Sequence, residues 1–195
     1  MTSSTSSAAS AILRDTQHII MSLVLAHLLL LLFLADVRGC VCDPARPETL
    51  QGRECSLTLA AEKEPSDAPV VFIPDANPTK PNRWLAIPHA LRHNLADMTA
   101  PERAAYWTRS IEKAKALWND QWAIAINSEE RRSQCQLHAH IGKLLETANG
   151  SGGVVVAKVE DIPLPEKSLG IWIQPEGNQL RVHLDQAAPE TLLMR

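Results

Sequence analysis

Residues 19–35 form a nearly unbroken hydrocarbon run, interrupted only by Ser22 and His27. No helix on the surface of a globular domain is apolar on every side, so this run belongs to a membrane or to a signal that is removed. Whatever folds in water must be built from the rest of the chain. At about 17 residues the run sits at the lower limit for spanning a bilayer and at the upper limit for a signal-peptide core, and a retained anchor and a cleaved leader both stay open. Arg14 is the one cation ahead of it, Met21 is an alternative start, and Cys40 at its far end is a lipidation candidate. Residues 1–39 are therefore read as a leader with a signal or anchor at 19–35. The destination is the inner membrane facing the periplasm, or secretion if the leader is cut.

Cys40, Cys42 and Cys55 follow in a charged, proline-containing stretch, 40–69, which reads as a linker with one ordered piece near 55–59. A disulfide between Cys42 and Cys55 closes a loop with little apolar content to order it, and it suits an oxidising compartment. Cys135, far along the chain on an apolar face, reads as an inert buried thiol. Residues 70–195 suffice for one domain. A formal net charge of -3, from 19 basic and 22 acidic residues, excludes the broad basic field that extended nucleic-acid contact needs.

Within that domain, β-branched and aromatic runs stopped by proline or turn residues predict strands at 70–73, 83–87, 122–127, 154–159, 169–173 and 180–184, the last two joined by a hairpin turn at 174–178. Thr99-Ala100-Pro101-Glu102 has capping-box spacing with proline in the first turn, and Ala104, Trp107, Ile111, Ala114 and Trp118 recur at helical period. The class is α+β, a mostly antiparallel sheet with one long crossing helix. Trp84, Trp107, Trp118 and Trp122 read as core, and His183 as structural.

One further strand is predicted at 134–141. Alternation places Gln134, Gln136, His138 and His140 on one face and Cys135, Leu137, Ala139 and Ile141 on the other. The apolar row packs on the helix, which leaves the polar row for solvent or for chemistry. A neutral imidazole is a nucleophile near pH 7, and its attack on phosphorus makes a phosphoramidate that water later cleaves. With His138 at the centre, His140 and Gln136 are placed to donate hydrogen bonds to phosphate oxygens as charge builds. Ser133 and Gln134, ahead of the strand, reach toward the bridging oxygen or the leaving phosphate, and Arg132 is close enough to the strand start to assist.

Ala125-Ile126-Asn127-Ser128 followed by Arg132-Ser133-Gln134-x-Gln136-Leu137-His138-x-His140-Ile141 resembles the histidine-triad-like superfamily, and within it the CDP-diacylglycerol pyrophosphatase family. Trp84-Leu85-Ala86-Ile87-Pro88, then Leu95-Ala96-Asp97-Met98-Thr99 and the capped helix, is similar to the strand, proline, loop and helix entry of such folds. The resemblance spans residues 70–145. It implies a histidine-triad-like catalytic domain over 70–195, with His138 as the residue that becomes nucleotidylated and Gln136 standing where a full triad has its first histidine. Ala139 is smaller than the usual branched residue there. The implied reaction is hydrolysis of the pyrophosphate of CDP-diacylglycerol, or of a related nucleotide diphosphate, to CMP and phosphatidate. A nucleotide-activated lipid fits an apolar N-terminal anchor, and the mechanism requires no metal or other cofactor. Substrate contacts are expected from Asn127, Ser133 and Gln134, and from Arg92 or His93 in the loop after Pro88.

Other readings of the same residues stay open. His-x-His on a strand is also a metal-ligand pair, with a third ligand from His89, His93 or a carboxylate, as in a metal-binding domain or metal-assisted hydrolase. A solvated strand face on a non-catalytic, membrane-tethered nucleotide-binding module is another. Asn127 suits turn closure as well as it suits a ligand.

Overall fold

The computed structural model describes residues 39–148 and 150–195; residues 1–38, including the apolar run 19–35 read above as a signal or anchor, lie outside the described residues. Among the described residues no helix is long and apolar enough to cross a membrane. Seven strands, β1 (Val70–Pro74), β2 (Trp84–Pro88), β3 (Trp122–Ile126), β4 (Ala139–Lys143), β5 (Val154–Val156), β6 (Ile171–Glu176) and β7 (Gln179–His183), form one antiparallel sheet. Its order is β1-β2-β4-β3-β6-β7-β5. The chain is thus α+β around an antiparallel sheet, as its patterning predicts.

Among the described residues two α-helices pack against it, α1 (Ser56–Glu62) and α2 (Ala100–Trp118). The α2 capping box forms reciprocally: Glu102 N–H donates to Thr99 Oγ1 at 3.4 Å, and Thr99 N–H donates to Glu102 Oε2 at 2.7 Å. Tyr106, Trp107, Ile111 and Ala114 of α2 are buried with Ile124, Leu137, Ala139 and Ile141 in the main core. Full burial of side chains of this size stabilises by about 1.5–3 kcal/mol each. Trp107 and Trp122 lie inside this core, while Trp84 and Trp118 pack at its margin. His183 is buried and stacks on Trp172 with ring centroids 3.6 Å apart, a structural placement. The β6–β7 hairpin closes through a two-residue loop whose first position is Gly177 at φ 58°, the backbone a tight primed turn requires.

The opposite sheet face is covered from both ends of the described chain. Leu57 and Ala61 of α1 pack on Val71, Leu85 and Ile87, and Leu193 packs on Ala123, Ala125 and Trp172. The C-terminal strap is latched by buried Arg83, whose Nε donates to Met194 O at 2.9 Å and whose Nη2 donates to Leu193 O. Gly170 permits its entry: a Cβ there would stand 2.5 Å from both Ile126 O and Pro189 Cδ.

Two expectations are corrected. The strand predicted at 134–141 begins only at Ala139. Ahead of it the backbone pairs with loops instead of neighbouring strands, Cys135 N–H donating to Glu54 O at 2.8 Å and Leu137 N–H to Arg92 O at 2.6 Å. Nor is Cys135 a free thiol: it forms a disulfide with Cys40, beside the predicted Cys42–Cys55 bridge. That bond also consumes the Cys40 thiol on which lipidation depends. The stretch 40–69 is folded onto the domain through these bridges, short 3-10 helices at Pro47–Gln51 and Arg53–Cys55, and α1.

Peptide mapping of the unreduced chain is expected to return Cys40–Cys135 and Cys42–Cys55. The Cys40→Ser, Cys135→Ser double variant opens a link of sequence separation 95 and is expected to lower the unfolding free energy by about 2–5 kcal/mol in denaturant titration. An unchanged midpoint would show that the link does not hold the fold.

Candidate active site

The last residues before β4 set the geometry of His138. Gln136 is fully buried, and its Nε2 donates to Pro88 O at 2.6 Å and to Ala90 O at 2.9 Å. Its carboxamide therefore clamps the Pro88 loop and does not join the histidines as a phosphate donor, which corrects the predicted four-residue polar row. The backbone carbonyl of Gln136, outside any strand ladder, lies 3.0 Å from His138 Nδ1. A carbonyl only accepts, so Nδ1 carries the hydrogen and the neutral ring presents Nε2 with its lone pair.

His138 is 6% exposed. Burial lowers its pKa most, the neighbouring His140 adds to this, and the hydrogen bond to Gln136 only partly opposes them, leaving it down at about 3. The ring is neutral across the physiological range. His140, on β4 itself, stands edge-on to His138 with ring centroids 5.0 Å apart. Its register opposite Leu85 and Ala125 aims it at the face crossed by the C-terminal strap.

There it meets carboxylates from distant parts of the chain. Glu190 Oε2, in the 3-10 helix Pro189–Leu192, lies 3.2 Å from His140 Nε2, and Asp75 Oδ2 lies 3.8 Å from Nδ1, an ion-pair separation too long for a hydrogen bond. Glu190 also pairs with Lys80 at 2.8 Å and with Arg83 at 3.4 Å. Burial pushes the Glu190 carboxyl up, but the His140 and Lys80 charges outweigh it and hold the group below the usual range. Asp75 behaves alike: the cost of burial is outweighed by His140 and by the Asn77 N–H.

The remaining candidates serve other purposes. Gln134 Oε1 accepts from Ser56 Oγ at 2.9 Å and from Leu57 N–H at 3.2 Å, capping the start of α1, while Nε2 donates to Arg53 O at 3.0 Å. Ser133 sits exposed in the bend ahead of it. Buried Asn127 accepts from Glu190 N–H at 3.2 Å, which fixes the residue that faces His140. Arg92 turns to Glu102 at 2.7 Å, and its loop meets the site region through backbone, by the Leu137 N–H bond. His93 anchors its loop by its N–H to Asp97 Oδ2 at 2.7 Å. The structure thus brings His138, His140 and, indirectly, Asn127 together, and leaves Gln136, Gln134, Arg92 and His93 in structural contacts.

Asp75, Lys80, Arg83 and Glu190 were not readable as site residues. For Asp75 a signal exists, since the β1–β2 register puts it directly after Pro74, opposite the strand that borders β4. Glu190 has no local signal at all. A cavity of about 90 Å³ is lined by Asn127, Ser128, Arg132 and Leu137 among others; neither histidine lines it. As for metal, the only three ligating groups gathered among the described residues are Cys40, Cys42 and Cys135, all tied up in disulfides. No protein-family model matches the chain, and no curated protein matches it either.

The lowered pKa of His138 has a testable sign. The unfolded chain takes up this proton near the ordinary 6.5 and the folded chain only near 3. The contribution of His138 to stability is therefore complete above the first value and is lost as pH falls toward the second, at up to roughly 1.4 kcal/mol per pH unit. Its ring NMR signals are expected to stay constant over about pH 5–8, where an ordinary histidine titrates, and His138→Gln is expected to flatten the acid limb of stability. A folded-state midpoint near neutrality would refute the assignment.

Proposed function

We infer that the chain is a phosphoric anhydride hydrolase of the histidine-triad-like type, acting on the pyrophosphate of CDP-diacylglycerol or a related nucleotide-activated lipid. One observation carries this: a buried, neutral His138 whose Nδ1–H is committed to Gln136 O, so that Nε2 is the free nucleophilic atom. A histidine that served only to pack, or as a solvated strand residue, has no need of a fixed tautomer and a second imidazole beside it.

In the first step Nε2 attacks the phosphorus that bears the nucleoside. A P–N bond forms, the bond from that phosphorus to the bridging oxygen breaks, and the phosphatidate leaves with the electron pair. In the second, water attacks the phosphoramidate, the P–N bond breaks back to His138, and CMP departs with a proton lost to solvent. His140 is the electrostatic partner. Its ring lies between the carboxylates of Glu190 and Asp75, and on turning one nitrogen to a ligand it donates to a phosphate oxygen.

Two disulfides support an oxidising destination. With the apolar run at 19–35, that favours a lipid substrate presented at a bilayer over a soluble nucleotide. His138→Ala is expected to remove CMP release from CDP-diacylglycerol by roughly a thousandfold or more with its thermal unfolding midpoint retained. Mass spectrometry of a quenched wild-type reaction is expected to show a cytidylyl adduct on His138. Full turnover by the variant would end this reading, and absence of hydrolysis in the wild-type chain would end the assignment of substrate.

A further inference from the structure

Arg132 is 4% exposed, and its Nε and Nη1 hydrogens find no acceptor among the described residues. No carboxylate stands within ion-pairing distance of it among them. The nearest acids are otherwise employed: Glu129 accepts from Asn94 Nδ2 at 2.9 Å, and Asp97 accepts from the N–H groups of His93 and Asn94 at 2.7 and 3.1 Å. A buried guanidinium without a counter-ion costs several kcal/mol of desolvation, and burial here pulls its pKa below the ordinary arginine value. Ser128 Oγ, equally buried, is also without a partner.

Both residues line the same cavity of about 90 Å³, walled by Leu95, Ile126 and Leu169. A single water needs roughly 10–15 Å³ by this measure, so the space admits a group several times larger. Leu137, which lines the cavity, is the chain neighbour of His138, and the Arg132 charge contributes to the low pKa of that ring. Its lining carries two acids, Glu129 and Glu166, and two bases, Lys167 and Arg132, of which Arg132 alone is buried.

We propose that this cavity is an oxyanion subsite, in which the guanidinium of Arg132 and the hydroxyl of Ser128 hold the oxygens of one phosphate group. Charge-assisted bonds from a guanidinium to phosphate oxygens are the strong ones. In the reaction assigned to His138, the phosphate held here is the one not attacked, which becomes the leaving group. This last step rests on that reading, whereas the binding of an oxyanion at Arg132 does not.

The test uses inorganic phosphate as the probe on the full, disulfide-bonded chain, with affinity followed by calorimetry and by the thermal unfolding midpoint. Arg132→Met removes an unpaired buried charge, so its own midpoint is expected to be equal to or above that of the wild type. Its phosphate affinity is expected to fall by about tenfold or more, and that of Ser128→Ala by a smaller factor. His138→Ala is expected to bind phosphate as the wild type does. Phosphate binding unaffected by Arg132→Met, no phosphate binding by the wild type, or a collapse of the fold in Arg132→Met would each overturn the subsite. Phosphate binding at Arg132 in a chain that hydrolyses no nucleotide would keep the subsite and remove the hydrolase reading.

Discussion

The buried carboxamide of Gln136 is the contact on which the centre of the molecule depends. By donating to Pro88 O and Ala90 O, it ties the end of β2 to the segment entering β4 and keeps residues 134–138 out of the sheet. A regular strand would spend the Gln136 carbonyl on a neighbouring strand. Diverted from the ladder, that carbonyl accepts from His138 Nδ1 and selects the tautomer. The same backbone excursion brings Cys135 to Cys40, so the covalent link and the side-chain clamp reinforce a single local geometry.

A second constraint comes from the C-terminal strap. Arg83 is buried because it caps the carbonyls of Leu193 and Met194, and the strap so held carries Glu190 to His140. Lys80, Arg83 and His140 converge on that one carboxylate, which offsets the cost of burying it. The centre is thus assembled from β4, the turn after β1 and the strap, segments with no proximity in sequence. Rigid antiparallel pairing fixes the first two and the Arg83 latch fixes the third.

Much of the scaffold was legible in the residues. Six of the strand predictions coincide with observed strands within a few residues, because proline and glycine punctuate runs of β-branched residues. The Thr99 capping box was readable from four letters because its donors and acceptors are local. The prediction at 134–141 failed for a nonlocal reason: its alternation is real from Leu137 to Ile141, but loop partners captured the backbone ahead of Ala139. Arg92 and Gln134 were plausible phosphate donors by type, yet Glu102 and the start of α1 engage them first.

The sequence by itself determined the apolar run at 19–35, the α+β class, the capped helix and the pair His138 and His140, since each follows from composition or from periodicity within a few residues. Only the tertiary structure decided that Gln136 is a clamp, that Cys135 is bonded to Cys40, that Asp75 and Glu190 flank His140, and that Arg132 is buried without a counter-ion. These are long-range pairings, chosen by which polar groups can satisfy one another once water is excluded. No local pattern records that outcome.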